Sequence, residues 1–183
     1  GRREPQQRPD MADARQRVQI TAVADSVAER AAQSAQKWNI PAWYTDLDTM
    51  LAEETLDMVL VTTPIQQHFA HALAAIEAGK HVYVQKAMTT TVAEADALLA
   101  ARDRRGIKLA AAPGFDLFPS TGMMRAAVQS GALGRVAIAY TYTLGFGHEF
   151  EPIRKDDGAL AAIDPTWYYR AGAGPLPDVT VYA

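Results

Sequence analysis

The sequence predicts an α/β fold, because short apolar stretches and amphipathic helical stretches alternate along residues 18–112. The apolar stretches are rich in valine, isoleucine and alanine, which is typical of parallel strands buried on both faces. After Pro113 and Gly114 the pattern changes to a longer stretch of alternating residues, typical of an antiparallel strand with one exposed face. We therefore expect an incomplete, doubly wound parallel sheet, followed by the start of an α+β domain with a mostly antiparallel sheet.

Residues 18–24 predict the first strand, since small and β-branched residues there end at Asp25. Alanines at helical spacing predict a helix over 26–37. The residues from Thr45 to Asp48 match a capping box and predict a short helix. Its inward positions are Leu47, Met50 and Leu51.

Residues 56–63 predict the next strand, apolar on both faces and ended by Pro64. One apolar stripe predicts a helix over 66–78, and Gly79 is placed to end it with a left-handed residue. Residues 81–85 predict another strand. Because each strand is followed by a helix, right-handed crossovers and a parallel sheet follow.

A second capping box, Thr91 with Glu94, opens a helix that Gly106 ends, and residues 107–112 predict a further strand. The inward positions of that helix are Val92, Ala95, Leu98 and Leu99.

After the change of pattern, the sequence predicts a helix that begins at Pro119 and ends by Gly131, and then a strand over 137–144. The inward positions of this helix are Met123, Ala127 and Val128. We place a domain boundary near residue 116, with a nucleotide-binding domain over 1–116 and a second domain over 117–183.

Composition excludes several classes of protein. With 49% hydrophobic residues the chain of 183 residues can bury a core, and its net charge of −3 argues against a nucleic-acid partner. No apolar run is long enough to span a bilayer, and the first residues show no secretion signal, so we expect a cytoplasmic protein without a membrane partner. The absence of cysteine excludes disulfides and thiolate chemistry.

Lys86 is the residue that most strongly indicates function. It ends a predicted buried strand, and ligands of open α/β sheets bind at the carboxyl ends of the strands. Desolvation and neighbouring charges can tune a lysine there for proton transfer. The alternative is a surface lysine at a strand end.

One set of motifs follows in order along the chain: Asp57 to Pro64, His68, Ala74 to Val82, and Gln85-Lys86-Ala87. In this order the motifs resemble those of the Gfo/Idh/MocA oxidoreductases. The resemblance implies a Rossmann-type domain, a C-terminal domain with an open antiparallel sheet, and hydride transfer between NAD or NADP and a sugar, inositol or related polyol. It also implies a homo-oligomer formed through the C-terminal sheet.

By this resemblance Asp25 binds the adenosine ribose, and it favours NAD because a carboxylate repels a 2′-phosphate. The other implied cofactor-binding residues are Thr62, Thr63, Pro64, His68, Gln85 and Lys86. The implied catalytic residues are Lys86, Asp178 and Tyr182. From the residues alone, Asp25 could equally cap the helix after it, and Asp178 and Tyr182 could belong to a loop and a short helix.

The chain departs from the family pattern at three places. The motif Glu-Lys-Pro is Gln85-Lys86-Ala87 here, Ile65 replaces an asparagine, and Tyr182 replaces a histidine. Without proline we expect a trans peptide after Lys86, since a non-proline cis bond costs about 2.5–4 kcal/mol. These departures leave open the alternative that the chain is a non-catalytic Rossmann protein that binds a nucleotide and has lost the hydride-transfer chemistry.

The glycine-rich turn that cradles a pyrophosphate does not occur in residues 1–17, and neither does the strand before it. We therefore expect this chain to be a fragment that can be inactive alone. His68 and His71 share one helical face, but no third ligand stands at a sensible spacing, so we expect no metal site.

Overall fold

The computed structural model describes residues 18–112 and 118–140, where short parallel strands alternate with helices, as predicted for an α/β fold. The strands are β1 (Ala22–Ala24), β2 (Ala42–Tyr44), β3 (Met58–Val61), β4 (His81–Val84) and β5 (Leu109–Ala111). The helices are α1 (Ala28–Trp38), α2 (Leu47–Glu53), α3 (Ile65–Glu77), α4 (Val92–Arg105) and α5 (Pro119–Gln129). The chain divides into two compact units, Gly1–Leu56 and Asp57–Ala183, and each holds its own small sheet. Within the described residues, no helix is long and apolar enough to cross a bilayer.

In the first unit β1 and β2 form a parallel pair, with α1 packed on both strands. Ala31 and Ala35 are buried, because a methyl side chain lets the helix backbone approach the sheet closely. The predicted strand start was too early: Val18 and Ile20 are 59% and 63% exposed and lie outside the ladder. An apolar composition predicts burial only where a partner element covers the side chains.

Helix α2 begins one residue later than its predicted capping box. Asp46 is the N-cap, and its carboxylate accepts hydrogen bonds from the backbone nitrogen of Thr49 at 2.8 Å and from its hydroxyl at 3.0 Å. These bonds favour the ionised carboxylate and lower the pKa of Asp46. Met50 is buried, and the Tyr44 hydroxyl donates to Glu54 at 2.8 Å just beyond the helix.

In the second unit the sheet order is β3-β4-β5, and all three strands are parallel. One face of β3 and β4 is fully covered, and its residues are Val59, Val61, Val82 and Val84. Helix α3 packs on β3, β4 and α4, and the helical residues buried there include Ala72, Ala75, Ile76, Leu98 and Ala101. Full burial of a valine or leucine side chain stabilises the fold by about 1.5–3 kcal/mol. This apolar layer fixes the position of both strand ends.

The other face of β3 was expected to be buried, and this is wrong. Met58 and Leu60 are 47% and 58% exposed, while Val59 and Val61 between them are 6% and 3% exposed. Right-handed crossovers between successive neighbouring strands place their connecting helices on one face of a sheet. Of the described residues in this unit, the helices α3 and α4 therefore cover only the valine face.

The capping box at the start of α4 is confirmed. The Thr91 hydroxyl accepts from the Glu94 backbone nitrogen at 3.2 Å, and Glu94 accepts from the Thr91 nitrogen at 3.1 Å. Glu94 also accepts from the Thr90 hydroxyl at 2.8 Å, and these bonds lower the pKa of the Glu94 carboxyl. The helix ends at Gly106, whose φ of 64° suits glycine.

Helix α5 has the predicted bounds, but its predicted inward face is wrong. Met123 and Val128 are 74% and 50% exposed, because no described element packs on them. Residues 137–140 form no strand ladder with any described residue, so this part of the antiparallel strand is not confirmed. Residues 141–144 and the predicted boundary near residue 116 lie outside the described residues.

Two adjacent leucines of α4 test the packing, since Leu98 is fully buried and Leu99, predicted inward, is 37% exposed. We expect Leu98→Ala to lower the free energy of unfolding by about 2–5 kcal/mol, because it removes buried methyl groups and leaves a cavity. The matched control Leu99→Ala should cost less than about 1 kcal/mol. Urea denaturation followed by circular dichroism measures both, and equal losses would contradict this packing.

Candidate active site

The carboxyl ends of β3 and β4 bring most of the predicted site residues together. Val61 pairs with Val84 in a parallel ladder, so the residues that follow each strand leave the sheet at the same edge. The Gln85 backbone nitrogen donates to the Val61 carbonyl at 2.9 Å, which extends the ladder by one bond. This edge therefore carries Thr62, Thr63, Pro64, Gln85 and Lys86, all predicted from the sequence.

The turn after β3 leads directly into α3. Pro64 is the N-cap of α3, and its carbonyl accepts from the Gln67 nitrogen at 2.8 Å. The Thr63 hydroxyl lies 3.1 Å from Nδ1 of His71 on the second turn of the helix. The start of α3 thus points to the same sheet edge, where helix N-termini favour negatively charged groups.

His68 lies beneath this edge and is only 1% exposed. Its Nε2 is 2.7 Å from the Thr63 carbonyl oxygen, and its Nδ1 is 2.7 Å from the Ala87 carbonyl oxygen. Both ring nitrogens are therefore engaged by backbone groups of two different segments. The predicted contact of His68 with a cofactor stays a prediction. Because both ring nitrogens lie against backbone carbonyls, His68 would affect a cofactor through the backbone of Thr63 and Ala87.

The segment after β4 holds Lys86 at the edge of the sheet. Lys86 is half-buried, and its backbone nitrogen donates to Oε1 of Gln85 at 3.0 Å. The prediction of a trans peptide between Lys86 and Ala87 is wrong, since this bond is cis. That prediction used only the preference of an isolated peptide and took no account of the contact between His68 and the Ala87 carbonyl.

In the first unit Asp25 follows β1, and its backbone nitrogen donates to the Tyr44 carbonyl at 3.1 Å. Its Oδ1 accepts from the Val27 nitrogen at 2.8 Å and from Nε and Nη2 of Arg30 at 3.1 and 2.9 Å. Val27, and not Asp25, is the N-cap of α1. The carboxylate thus bonds the backbone just before the helix, and all three of these contacts use the same oxygen.

The predicted catalytic residues Asp178 and Tyr182 lie outside the described residues, so their roles stay predictions. Among the described residues, no group of three or more His, Asp or Glu side chains could hold a metal ion.

Two site residues were missed by the sequence analysis. Arg30 stands five residues after Asp25, a spacing that brings the first turn of α1 back to the strand end. A basic residue one helical turn beyond a strand-ending acid is the signal that could have found it. His71 was assigned no role in the site from the sequence. Its contact with Thr63 depends on how the chain turns at Pro64 between β3 and α3.

A model of the family "Oxidoreductase family, NAD-binding Rossmann fold" (GFO_IDH_MocA) matches residues 1–112 of this chain. The chain is 34% identical over 90 residues to 4-carboxy-2-hydroxymuconate-6-semialdehyde dehydrogenase of Sphingobium sp., a match that covers 49% of this chain and 29% of the relative. It is 39% identical over 64 residues to scyllo-inositol 2-dehydrogenase (NADP(+)) of Bacillus subtilis, covering 35% of this chain and 18% of the relative. These curated relatives are therefore matched over less than a third of their length.

Solved structures resemble the fold as well. Levoglucosan dehydrogenase in complex with NADH and levoglucosan aligns with a TM-score of 0.58 and 26% identity, over 63% of this chain and 31% of that one. The likeness leaves most of the larger protein unmatched.

Proposed function

Because the chain belongs to the Gfo/Idh/MocA family of oxidoreductases with an NAD-binding Rossmann fold, we propose that it supplies the cofactor-binding part of an NAD- or NADP-dependent dehydrogenase. The single observation that supports this most is the placement of Lys86 and the Thr62–Pro64 turn at one carboxyl edge of a parallel sheet. Open α/β sheets bind their ligands at that edge.

Each unit contains residues that suit one part of a nicotinamide cofactor. Asp25 stands at the end of β1 with Oδ1 already bonded, so Oδ2 is the oxygen we assign to the adenosine ribose hydroxyls. The hydroxyls of Thr62 and Thr63, with the start of α3, provide polar and electropositive contacts at the edge of the second sheet. When bound, the cofactor supplies the hydride acceptor or donor, and the chain supplies orientation and proton transfer.

The names of some of these proteins support the substrate class that we propose. One relative is named for an inositol, another for a muconate semialdehyde, and one structure contains levoglucosan. We propose a sugar, inositol or related polyol whose hydroxyl lies near the Lys86 amine. In the oxidative direction the substrate hydroxyl would lose its proton to a base while the bound cofactor would take up the hydride from the same carbon, which would leave a carbonyl. Lys86 positions and polarises this oxygen, and Asp178 or Tyr182 relays the proton.

Replacement of Lys86 tests its part in the reaction. We expect Lys86→Ala to lower kcat for polyol oxidation by about 10²-fold or more, the usual contribution of a positioned proton-transfer group. The control is Lys80→Ala, which removes a lysine from the segment before β4, at the opposite edge of the sheet. The absorbance of the reduced nicotinamide measures both rates, and unchanged turnover of Lys86→Ala would reject the role of this lysine.

Asp25 and Arg30 test which cofactor the chain prefers. The carboxylate of Asp25 favours NAD, while Arg30 places a cation where a 2′-phosphate could pair with it. We expect Asp25→Ala to weaken NAD binding by about 10- to 100-fold, since a hydrogen bond to a charged group contributes about 1.5–3 kcal/mol. NADP binding should weaken less or improve, because a repulsion is removed and Arg30 is released from its partner.

Calorimetric titration with NAD and with NADP measures both affinities, and Asp48→Ala is the control for an exposed acid of the same unit. Equal losses of affinity for NAD and NADP in Asp25→Ala would contradict this assignment of the ribose contact.

A second function, a nucleotide-binding protein without turnover, is favoured by one observation. Gln85 stands where the family has an acid, and its side chain bonds the Lys86 backbone nitrogen. Residue 85 therefore contributes no carboxylate to the site. Binding of NAD without reduction on any member of a polyol panel would support this alternative.

A further inference from the structure

The turns at the carboxyl ends of β3 and β4 contain no acidic residue. They comprise residues 62–64 and 85–91, and neither range includes an aspartate or a glutamate. The first turn of α3, which begins at the same edge, holds no acidic residue either. The acid that follows the second turn, Glu94, accepts from the backbone nitrogens of Thr90 and Thr91 and from the Thr90 hydroxyl at 2.8–3.1 Å. This edge therefore favours a ligand that brings negative charge.

The hydrogen bond of Gln85 decides how its amide group is turned. The Lys86 backbone nitrogen is a donor, so the atom that lies 3.0 Å from it is the amide oxygen of Gln85. The amide nitrogen, which carries two hydrogens, is then the polar atom left for a ligand. Because Gln85 is exposed, a ligand can reach this nitrogen. Gln85 thus presents a donor beside the lysine of the candidate site.

The chemistry of these donors indicates what they bind. An amide NH2 group and a lysine ammonium donate hydrogen bonds and accept none. A carboxylate has two acceptor oxygens, and its charge makes the hydrogen bonds that it accepts stronger than those of a neutral hydroxyl. Two neighbouring donors are therefore matched better by a hydroxy acid than by a neutral polyol.

We propose that the substrate of this site is a sugar acid or polyol acid, and that Gln85 is the residue that selects it. The inference rests on the proposed function, which places the reacting hydroxyl near Lys86. The Gln85 NH2 group donates to the carboxylate of the same substrate molecule, and the start of α3 adds a field that favours this charge. Gln85 is thus a specificity-determining residue.

The pyrophosphate of a dinucleotide is a second anion that could accept from the same donors. The resemblance to the family also implies a contact of Gln85 with the cofactor. The bond between Gln85 and the Lys86 backbone favours the substrate, because a group that touches this amide lies close to the segment that carries the lysine. The experiment must therefore separate the effect of the cofactor from that of the acid.

The first experiment observes the Gln85 amide directly. In ¹⁵N-labelled protein its NH2 group gives a pair of signals, which are assigned by their loss in Gln85→Glu. With NADH bound, so that no oxidation occurs, we expect these signals to shift with saturation on titration with D-gluconate or D-glucuronate at constant ionic strength. The neutral counterparts D-glucitol and D-glucose should leave the signals in place. No shift with either acid, or the whole shift with NADH alone, would overturn the proposal.

The second experiment measures selectivity as kcat/KM for the same two pairs of acid and neutral compound. In the wild type we expect the acid of at least one pair to exceed its counterpart about tenfold or more, since hydrogen bonds to charged groups are the stronger ones. In Gln85→Glu one oxygen still accepts from the Lys86 nitrogen, while a second oxygen replaces the NH2 group. The preference for the acid should then be lost, because like charges repel. The value for the neutral compound should change little.

Lys80→Gln is the matched control for charge. It lowers the net charge by one, as Gln85→Glu does, but just before β4, at the opposite edge of the sheet. The preference for the acid should remain in this variant. A preference that survives in Gln85→Glu, or one that is lost equally in both variants, would contradict the role of Gln85.

The two experiments distinguish the failure of this proposal from that of the proposed function. If the wild type oxidises no member of either pair, the proposed function fails for these compounds, and the Gln85 amide signals still decide whether the acid binds. If the neutral compounds are oxidised as well as the acids, the proposed function stands and the proposal for Gln85 fails alone.

Discussion

The parallel pairing of β3 with β4 is the constraint on which the candidate site depends. Val61 and Val84 are partners in the ladder, so the turn after one strand and the lysine segment after the other leave the sheet at the same edge. The buried valine face, covered by α3, holds this pairing. A shift of register by one residue would turn the valines to the open face and move Lys86 away from Thr63.

Local hydrogen bonds then hold the residues that the strand pairing brings to this edge. The Gln85 side chain bonds the Lys86 nitrogen, and His68 contacts carbonyls on both sides of the edge. At the C-terminal ends of α3 and α4, Glu77 pairs with Arg104 and Arg105 at 2.8–2.9 Å. Both arginines lower the pKa of the Glu77 carboxyl. Such exposed pairs contribute little stability individually.

Local sequence patterns predicted a large part of this structure. The capping box of Thr91, the glycine that ends α3 and the position of Lys86 after a strand depend on neighbouring residues, and these were found correctly. Features that depend on residues distant in the sequence were not predicted. The exposure of Leu60 and the cis peptide after Lys86 belong to this group. Periodicity predicts which residues share a face, and only the tertiary structure shows whether anything covers that face.

The proposed function requires a nicotinamide dinucleotide to bind at the carboxyl edge of β3 and β4. Backbone amide signals recorded during titration of ¹⁵N-labelled protein with NAD test it most directly. We expect the signals of Thr62, Thr63 and Lys86 to shift with saturation, while those of Asp57 and His81 at the amino edge stay in place. Saturable shifts at the amino edge alone, or no shifts at either edge, would contradict the claim.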